Sequence, residues 1–378
     1  MNKNKTIQDP ELVIETPRVE PFYKVDIVVI GAGQAGLSAA YYLKREGLKA
    51  GKGFVVLDDE VGPGGAWQHR WDSLTLSNVN GINDLPGMAF ADAVNKRDVA
   101  LQANVAVPQY YGAYEKAYEL PIIRPIKVQE VTERNGRFLV RTNGVQFSAR
   151  GIINATGTWK TPNIPMYPGS DLFRGKQLHT VDYQQAEEFI GKHVLVVGAG
   201  ISAVQLLGEL SELTQTSWVS RREPDFRNHE FTEELGREAV ELVDQRVRAG
   251  LPTESVVAVT GLPITPSIER MFEKGALNWR PMFDHITERG VGWKDGTTLD
   301  VDVIFWNTGF RHSLEHLKGL NIINEHGGIK MSGRLATQVV QEPRLHLIGY
   351  GPSASTVGAN RAGRAAAREL IDYLSLKR

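Results

Sequence analysis

No cysteine occurs among the 378 residues. Dithiol–disulfide exchange, disulfide stapling and thiolate-held metal are therefore excluded at the outset. Charge of one sign is also lacking, since 43 basic residues balance 44 acidic ones and leave a formal net charge of −1. Such a chain has no bulk field to gather nucleic acid or to hold it on an anionic membrane. No apolar run approaches the roughly 20 residues a membrane-spanning helix needs. The longest, such as Val25 to Ile30, is strand-sized. Residues 1–21 are polar and proline-punctuated without an apolar signal-peptide core, and read as a loose N-terminal arm. No histidine falls near an acid, a serine or another histidine at a spacing that suggests a triad or a metal site, so no metal is expected.

What is present is a glycine turn between strand and helix, twice. Val25-Asp-Ile-Val-Val-Ile30 reads as a buried strand, followed by Gly31-Ala-Gly33-Gln34-Ala35-Gly36 and a helix from Leu37 to Arg45 that stops at Gly47. In such a turn the first glycine permits the tight bend and the second lets backbone approach a pyrophosphate. The third allows the helix to pack closely on the strand. Phe54-Val-Val-Leu-Asp58 is the next strand, with an acid at its end. A carboxylate there accepts a ribose hydroxyl and repels a 2′-phosphate, which suits FAD or NAD. The second copy runs from the strand His193-Val-Leu-Val-Val197 into Gly198-Ala-Gly200-Ile201-Ser202-Ala203. Its following strand ends in Ser220, Arg221 and Arg222 with no acid. Guanidinium forks match phosphate oxygens, so NADPH is expected over NADH.

The halves also repeat internally. Residues 293–309 match 141–157 without a gap, Asp295-Gly296 falling on Asn143-Gly144 and Thr308-Gly309 on Thr156-Gly157. The Asn-Gly pairs at 135–136 and 143–144 signal hairpin turns. The expected fold is α/β, with two Rossmann-like dinucleotide-binding domains, each a three-layer unit carrying a β-meander. Leu345 to Gly349 reads as a returning strand and Val357 to Leu374 as a helix. The first domain then takes residues 22–160 and 310–378, and the second 161–309.

Phe173-x-Gly175-xxx-His179-xxx-Tyr183, directly ahead of the second glycine turn, resembles the motif of the class B flavoprotein monooxygenases. Tyr183 puts it with the bacterial flavin-containing monooxygenase type, the Baeyer–Villiger branch having Trp there. The resemblance spans about residues 25 to 372. It implies FAD held by Gly31, Gly33, Gln34, Ala35, Gly36, Asp58, Gly65, Trp67, Ala155, Thr156, Gly157 and Gly349. It implies NADPH held by Gly198, Gly200, Ile201, Ser202, Ala203, Ser220, Arg221, Arg222, Thr308 and Gly309. Gly62 to Trp67 resembles the family's Gly-Gly-x-Trp stretch along the flavin, and Ala155-Thr-Gly157 the segment where the chain leaves the first domain. The last helix is expected to point its N-terminus at the flavin pyrimidine ring, where its dipole stabilises negative charge.

The implied reaction has NADPH reduce FAD and O₂ add at flavin C4a, giving a (hydro)peroxyflavin that oxygenates a thioether or amine to its S- or N-oxide. Asn78, with Asn80 in reserve, occupies the region where the family sets an asparagine beside the flavin's reactive edge. His179 reads as structural. O₂ and a small organic substrate are the implied partners, with no nucleic acid and no membrane; a homodimer enters by analogy alone. Eukaryotic members of the family carry a C-terminal membrane anchor, whereas this chain ends in the polar Ser375-Leu-Lys-Arg378, so a cytoplasmic protein is expected. Three other readings stay open here: Baeyer–Villiger oxidation of ketones, an NAD(P)H oxidase or flavin reductase, and a non-enzymatic NADPH-responsive binding protein.

Overall fold

The computed structural model of the chain describes residues 22–79, 81–227, 233–253 and 261–376. The expected N-terminal arm and Asn80 lie outside the described residues. Six helices are used below: α1 (Gln34–Arg45), α2 (Ala103–Ala117), α3 (Ile201–Leu213), α4 (Glu233–Arg248), α5 (Pro266–Glu273) and α6 (Thr356–Tyr373).

A seven-stranded sheet has the order Met331–Ser332, Gln338–Val339, Leu345–Leu347, Gly151–Asn154, Ile27–Ile30, Phe54–Leu57, Ile122–Ile123, of which the last five run parallel. The central strands are apolar throughout because both faces are covered. Ile27, Val29, Phe54 and Val56 face the core shared with α1, α2 and α6. Val28, Ile30, Val55 and Leu57 face a second core built on the meander Val128–Arg134, Arg137–Thr142 and Gln146–Ala149. Helices α1 and α6 approach closely at Gly363, where a side chain would meet Ser38 Oγ at 2.7 Å and Ala39 N at 2.8 Å.

The second sheet is parallel throughout: Trp279–Pro281, Gln215–Ser220, His193–Val197, Val303–Trp306, Lys176–His179. The same alternation recurs. Val194, Val196 and Phe305 pack towards α3 and α5, while Leu195, Val197 and Trp306 pack towards the meander His285–Ile286, Gly290–Gly292, Thr298–Asp300. Gly151–Asn154 and Val303–Trp306, which the internal repeat aligns residue for residue, each pair with the strand that leads into a glycine turn. The repeat is thus a repeat of structure, and each unit has three layers.

Two local expectations shift. Helix α1 begins at Gln34 and not at Leu37, because Gly33 is its N-cap and the second half of the glycine turn is already helical. Asn135-Gly136 takes the positive φ values, 54° and 75°, of a tight hairpin turn. Asn143-Gly144 does not; there Thr142 Oγ1 organises the bend by accepting from the Gly144 and Val145 amides.

Candidate active site

The first glycine turn uses each glycine for a different reason. Gly31 has φ of +99°, and a Cβ on it would lie 2.6 Å from the Ala155 carbonyl oxygen. A Cβ on Gly36 would overlap the Gly31 carbonyl. Gly33, by contrast, has nothing within 4 Å of where its Cβ would stand. Its open side faces a cleft of roughly 860 Å³, walled by Gly31, Gly33, Gln34, Ala35 and Asp58 among others. The first amides of α1 have no partner within the helix and carry the positive end of its dipole. The Gln34 side chain turns away, donating to Asn360 Oδ1 (2.9 Å) and accepting from the Tyr111 hydroxyl (2.6 Å). Its backbone is what the cleft receives.

Asp58 stands on the cleft wall, 5% exposed. One carboxylate oxygen accepts from the Ala32 amide at 3.3 Å and the other from Arg124 Nε at 2.6 Å. Arg124 in turn grips Glu115 through two bonds of 2.7 Å. Sequence reasoning missed both residues. Nothing in their spacing marks them, since α2 and the strand after it come together only in the fold. Across the cleft, Gly65 (φ +52°) lays backbone against backbone, its Cβ position 3.0 Å from Gly33 Cα. Trp67 bridges the cores of the two sheets. Gly349 sits beside Ala35, and Ser353 to Ser355 line the cleft at the start of α6, where Ser355 Oγ accepts from the Gly358 amide at 3.0 Å. Ala155, Thr156 and Gly157 complete the wall, with Thr156 Oγ1 donating to the Ser313 carbonyl.

Two histidines border this cleft without being charged. Burial pushes both His312 and His316 down to about 4. His316 Nε2 is 2.7 Å from Asn154 Oδ1, and His312 packs on the Tyr350 ring.

The second glycine turn repeats the first. Gly198 has φ of +134°, and its Cβ would overlap the Asn307 carbonyl, the counterpart of Ala155 in the internal repeat. Gly200 is the N-cap of α3 and is open, with nothing within 4 Å. Ile201 and Ser202 are half-buried and Ala203 is fully buried against the strand. At the next strand end stands Ser220. It is buried, its hydroxyl donating to the Arg222 carbonyl (2.5 Å) and accepting from Trp279 Nε1 (2.8 Å), so it braces the loop. Arg221 and Arg222 are exposed, and no carboxylate among the described residues pairs with either. Thr308 Oγ1 donates to the Asn163 carbonyl, and the Gly309 carbonyl accepts from His179 Nε2 at 3.0 Å, so this pair ties the two crossover segments together.

The Phe173 to Tyr183 motif proves to be architecture. Phe173 folds over Gly175, whose Cβ would overlap both that ring and the Asp302 carbonyl. His179 is fully buried, edge-on to Phe310. Burial lowers its pKa. Tyr183 is buried among Trp71, Phe189 and Phe305 and donates to Glu209 at 2.8 Å. Asn78 does not wall the cleft. It is exposed, and its amide closes its own turn, accepting from the Thr75 N–H (2.8 Å) and donating to the Ser73 carbonyl (2.9 Å).

Among the described residues no cluster of three or more His, Cys, Asp or Glu could hold a metal, and no helix is long and apolar enough to cross a membrane. Residues 28–349 match the family described as pyridine nucleotide-disulphide oxidoreductase. Among solved structures, the flavin-containing monooxygenase from Stenotrophomonas maltophilia is 34% identical with a TM-score of 0.78, over 93% of this chain and 99% of that one. An uncharacterized oxidoreductase CzcO of Bacillus subtilis is 28% identical over 80% of this chain and 86% of its own length. The senecionine N-oxygenase of Tyria jacobaeae is 24% identical over 53% of this chain and 49% of its own. The family description names two chemistries, and a chain without cysteine cannot perform the disulphide one. The chain belongs to the pyridine nucleotide-disulphide oxidoreductase family and, within it, to the flavin-containing monooxygenases, FAD-dependent oxidoreductases that use NADPH.

Proposed function

We propose that the chain transfers one atom of O₂ to a soft nucleophile, a thioether or an amine. The second oxygen atom leaves as water, NADPH and a proton supplying what that requires. Bound FAD supplies the redox chemistry, carrying the electron pair from NADPH to O₂. The chain's own residues bind, orient and seal. Gly33 and the first turn of α1 would hold the FAD pyrophosphate, and Asp58, fixed by Arg124, the ribose. Gly65 and Trp67 would lie along the ring system, with the start of α6 offering its dipole to negative charge there. Gly200 would receive the NADPH pyrophosphate, and Arg221 with Arg222 the 2′-phosphate.

The observation that carries the choice of substrate is the idleness of the acids and bases on the cleft wall. His312 and His316 are neutral by burial. Asp58 is held by Arg124, Asp59 and Glu60 by Lys160, and Glu315 by Lys318. Among the described residues of the wall, every carboxylate has a cationic partner and both histidines are neutral. A thioether or uncharged amine needs no base, because it attacks with its own lone pair. The test offers methyl phenyl sulfide, a tertiary amine and cyclohexanone to the FAD-loaded enzyme with NADPH in air. Sulfoxide and N-oxide are expected in near one-to-one ratio to NADPH consumed. A lactone from the ketone without sulfoxide would move the chain to Baeyer–Villiger chemistry, and hydrogen peroxide alone would make it an oxidase.

A further inference from the structure

Arg70 is a half-buried charge with no carboxylate partner among the described residues. Its guanidinium lies over the Trp159 ring at 4.2 Å and near Trp67 at 5.8 Å. Its Nε is buried without a hydrogen-bond partner, and no carboxylate among the described residues pairs with the group. Burial lowers its pKa to about 10, which still leaves it charged at neutral pH. A partly desolvated cation without a partner gains when an anion reaches it. The neighbouring Lys160 cannot serve as the comparison, being paired with both Asp59 and Glu60.

Arg70 and Trp159 separate the FAD cleft from a second cavity of roughly 510 Å³, within the range of small-ligand sites. Gln68, Asn104, Val181 and Gln184 also line it, and no acid does. Asn104 is fastened to the same loop, donating to the Arg70 carbonyl (2.9 Å) and to Asp72 (2.8 Å), while its Oδ1 is buried without a partner. The cavity therefore offers the Arg70 guanidinium, three amides, an indole and the His69 ring, while Lys160 on its wall is already paired with Asp59 and Glu60. Cofactor phosphates have their own places at the open glycines, Gly33 and Gly200. A planar guanidinium at such a wall matches a carboxylate.

Resting on the reading of the chain as a soft-nucleophile monooxygenase, we infer that this cavity is an acid pocket for the substrate. It takes small thioethers or amines that carry a carboxylate. The carboxylate pairs with Arg70, and the soft atom is directed past Trp159 towards the cleft the two cavities border.

Calorimetric titration of the FAD-loaded protein, without NADPH, tests this with (methylthio)acetate and its methyl ester as probes. The acid should bind wild type about tenfold or more tightly than the ester, the scale of a charge-assisted pair. Arg70→Gln should erase that difference and Arg70→Lys keep part of it, while NADP⁺ binding shifts less than about twofold. Equal binding of acid and ester to wild type overturns the pocket, as does an Arg70→Gln loss that is the same for the acid and for NADP⁺. Should Arg70→Gln lose its flavin, the wild-type contrast between acid and ester decides alone. Because no turnover enters, tight acid binding without sulfoxide formation keeps the pocket and rejects the reaction. Sulfoxide formed from acid and ester with equal kcat/KM keeps the reaction and rejects the pocket.

Discussion

A single methyl group separates the glycines of the first turn. Gly31 and Gly36 lack side chains for the protein's sake, since their Cβ atoms would strike its own backbone. Gly33 lacks one although the protein leaves room. Gly33→Val is therefore expected to fold with a Tm within a few degrees of the wild-type apoprotein, yet to purify colourless; Gly36→Val should fail to fold. Full flavin absorbance in Gly33→Val would remove that residue from the pyrophosphate site. At the second strand end, Arg221→Ala with Arg222→Ala should raise KM for NADPH about tenfold or more and leave NADH nearly unchanged. Equal losses with both coenzymes would make the arginines structural. Desolvation lowers the folded-state pKa of the half-buried His312 and His316 to about 4 and that of the fully buried His346 to about 3, against 6.5 when exposed. Below 6.5 the unfolded chain takes up protons that the folded one refuses, so stability is present above that pH and lost as pH falls towards 4. Tm should decline over that window, and His346→Gln should soften the decline; a flat profile would mean these rings are hydrated.

At the scale of elements, the sequence exposed what is local and hid what is brought together. Both glycine turns, their strands and the 152-residue offset of the repeat could be read because apolar runs and turn residues encode them directly. Helix α2 could have been seen, since Val107, Tyr110, Tyr111 and Tyr114 follow helical spacing and are all buried. Pro108 within it obscures the pattern, and packs against Gly64. Arg70, Arg124 and Glu115 could not be singled out, because a charged residue looks alike paired or unpaired until its neighbours are known. Ser220 and Asn78 share another feature the letters do not show: each hydroxyl or amide has a partner in its own loop. The Phe173 to Tyr183 stretch is an element whose letters are fixed by packing. Tyr183→Phe loses one bond to Glu209, which Ser73 Oγ still contacts at 2.7 Å, and should cost about 1 kcal/mol. Tyr183→Ala empties the space among Trp71, Phe189 and Phe305 and should cost about 3–5 kcal/mol. Denaturant unfolding measures both; similar losses for the two variants would assign the role to the hydroxyl.

For the whole molecule, two copies of one design face each other across crossovers that are tied by backbone and side chain alike. Pro162 bridges to Phe310, Phe310 stacks on Trp159 at 5.2 Å, and His179 reaches the Gly309 carbonyl. This seam lies beside the cleft, so on the proposed placement of FAD and NADPH electrons would pass where the two sheets are joined. On the proposed reading the described residues of the cleft wall orient the reactants without a poised base, which fits oxygen transfer to a substrate that brings its own lone pair. Turnover of methyl phenyl sulfide under isotopically labelled dioxygen in unlabelled water, followed by mass spectrometry of the sulfoxide, tests this most directly. One labelled oxygen atom per sulfoxide, with sulfoxide formed in near one-to-one ratio to NADPH consumed, is the predicted result. Unlabelled sulfoxide, or labelled hydrogen peroxide accounting for all the NADPH, would contradict it.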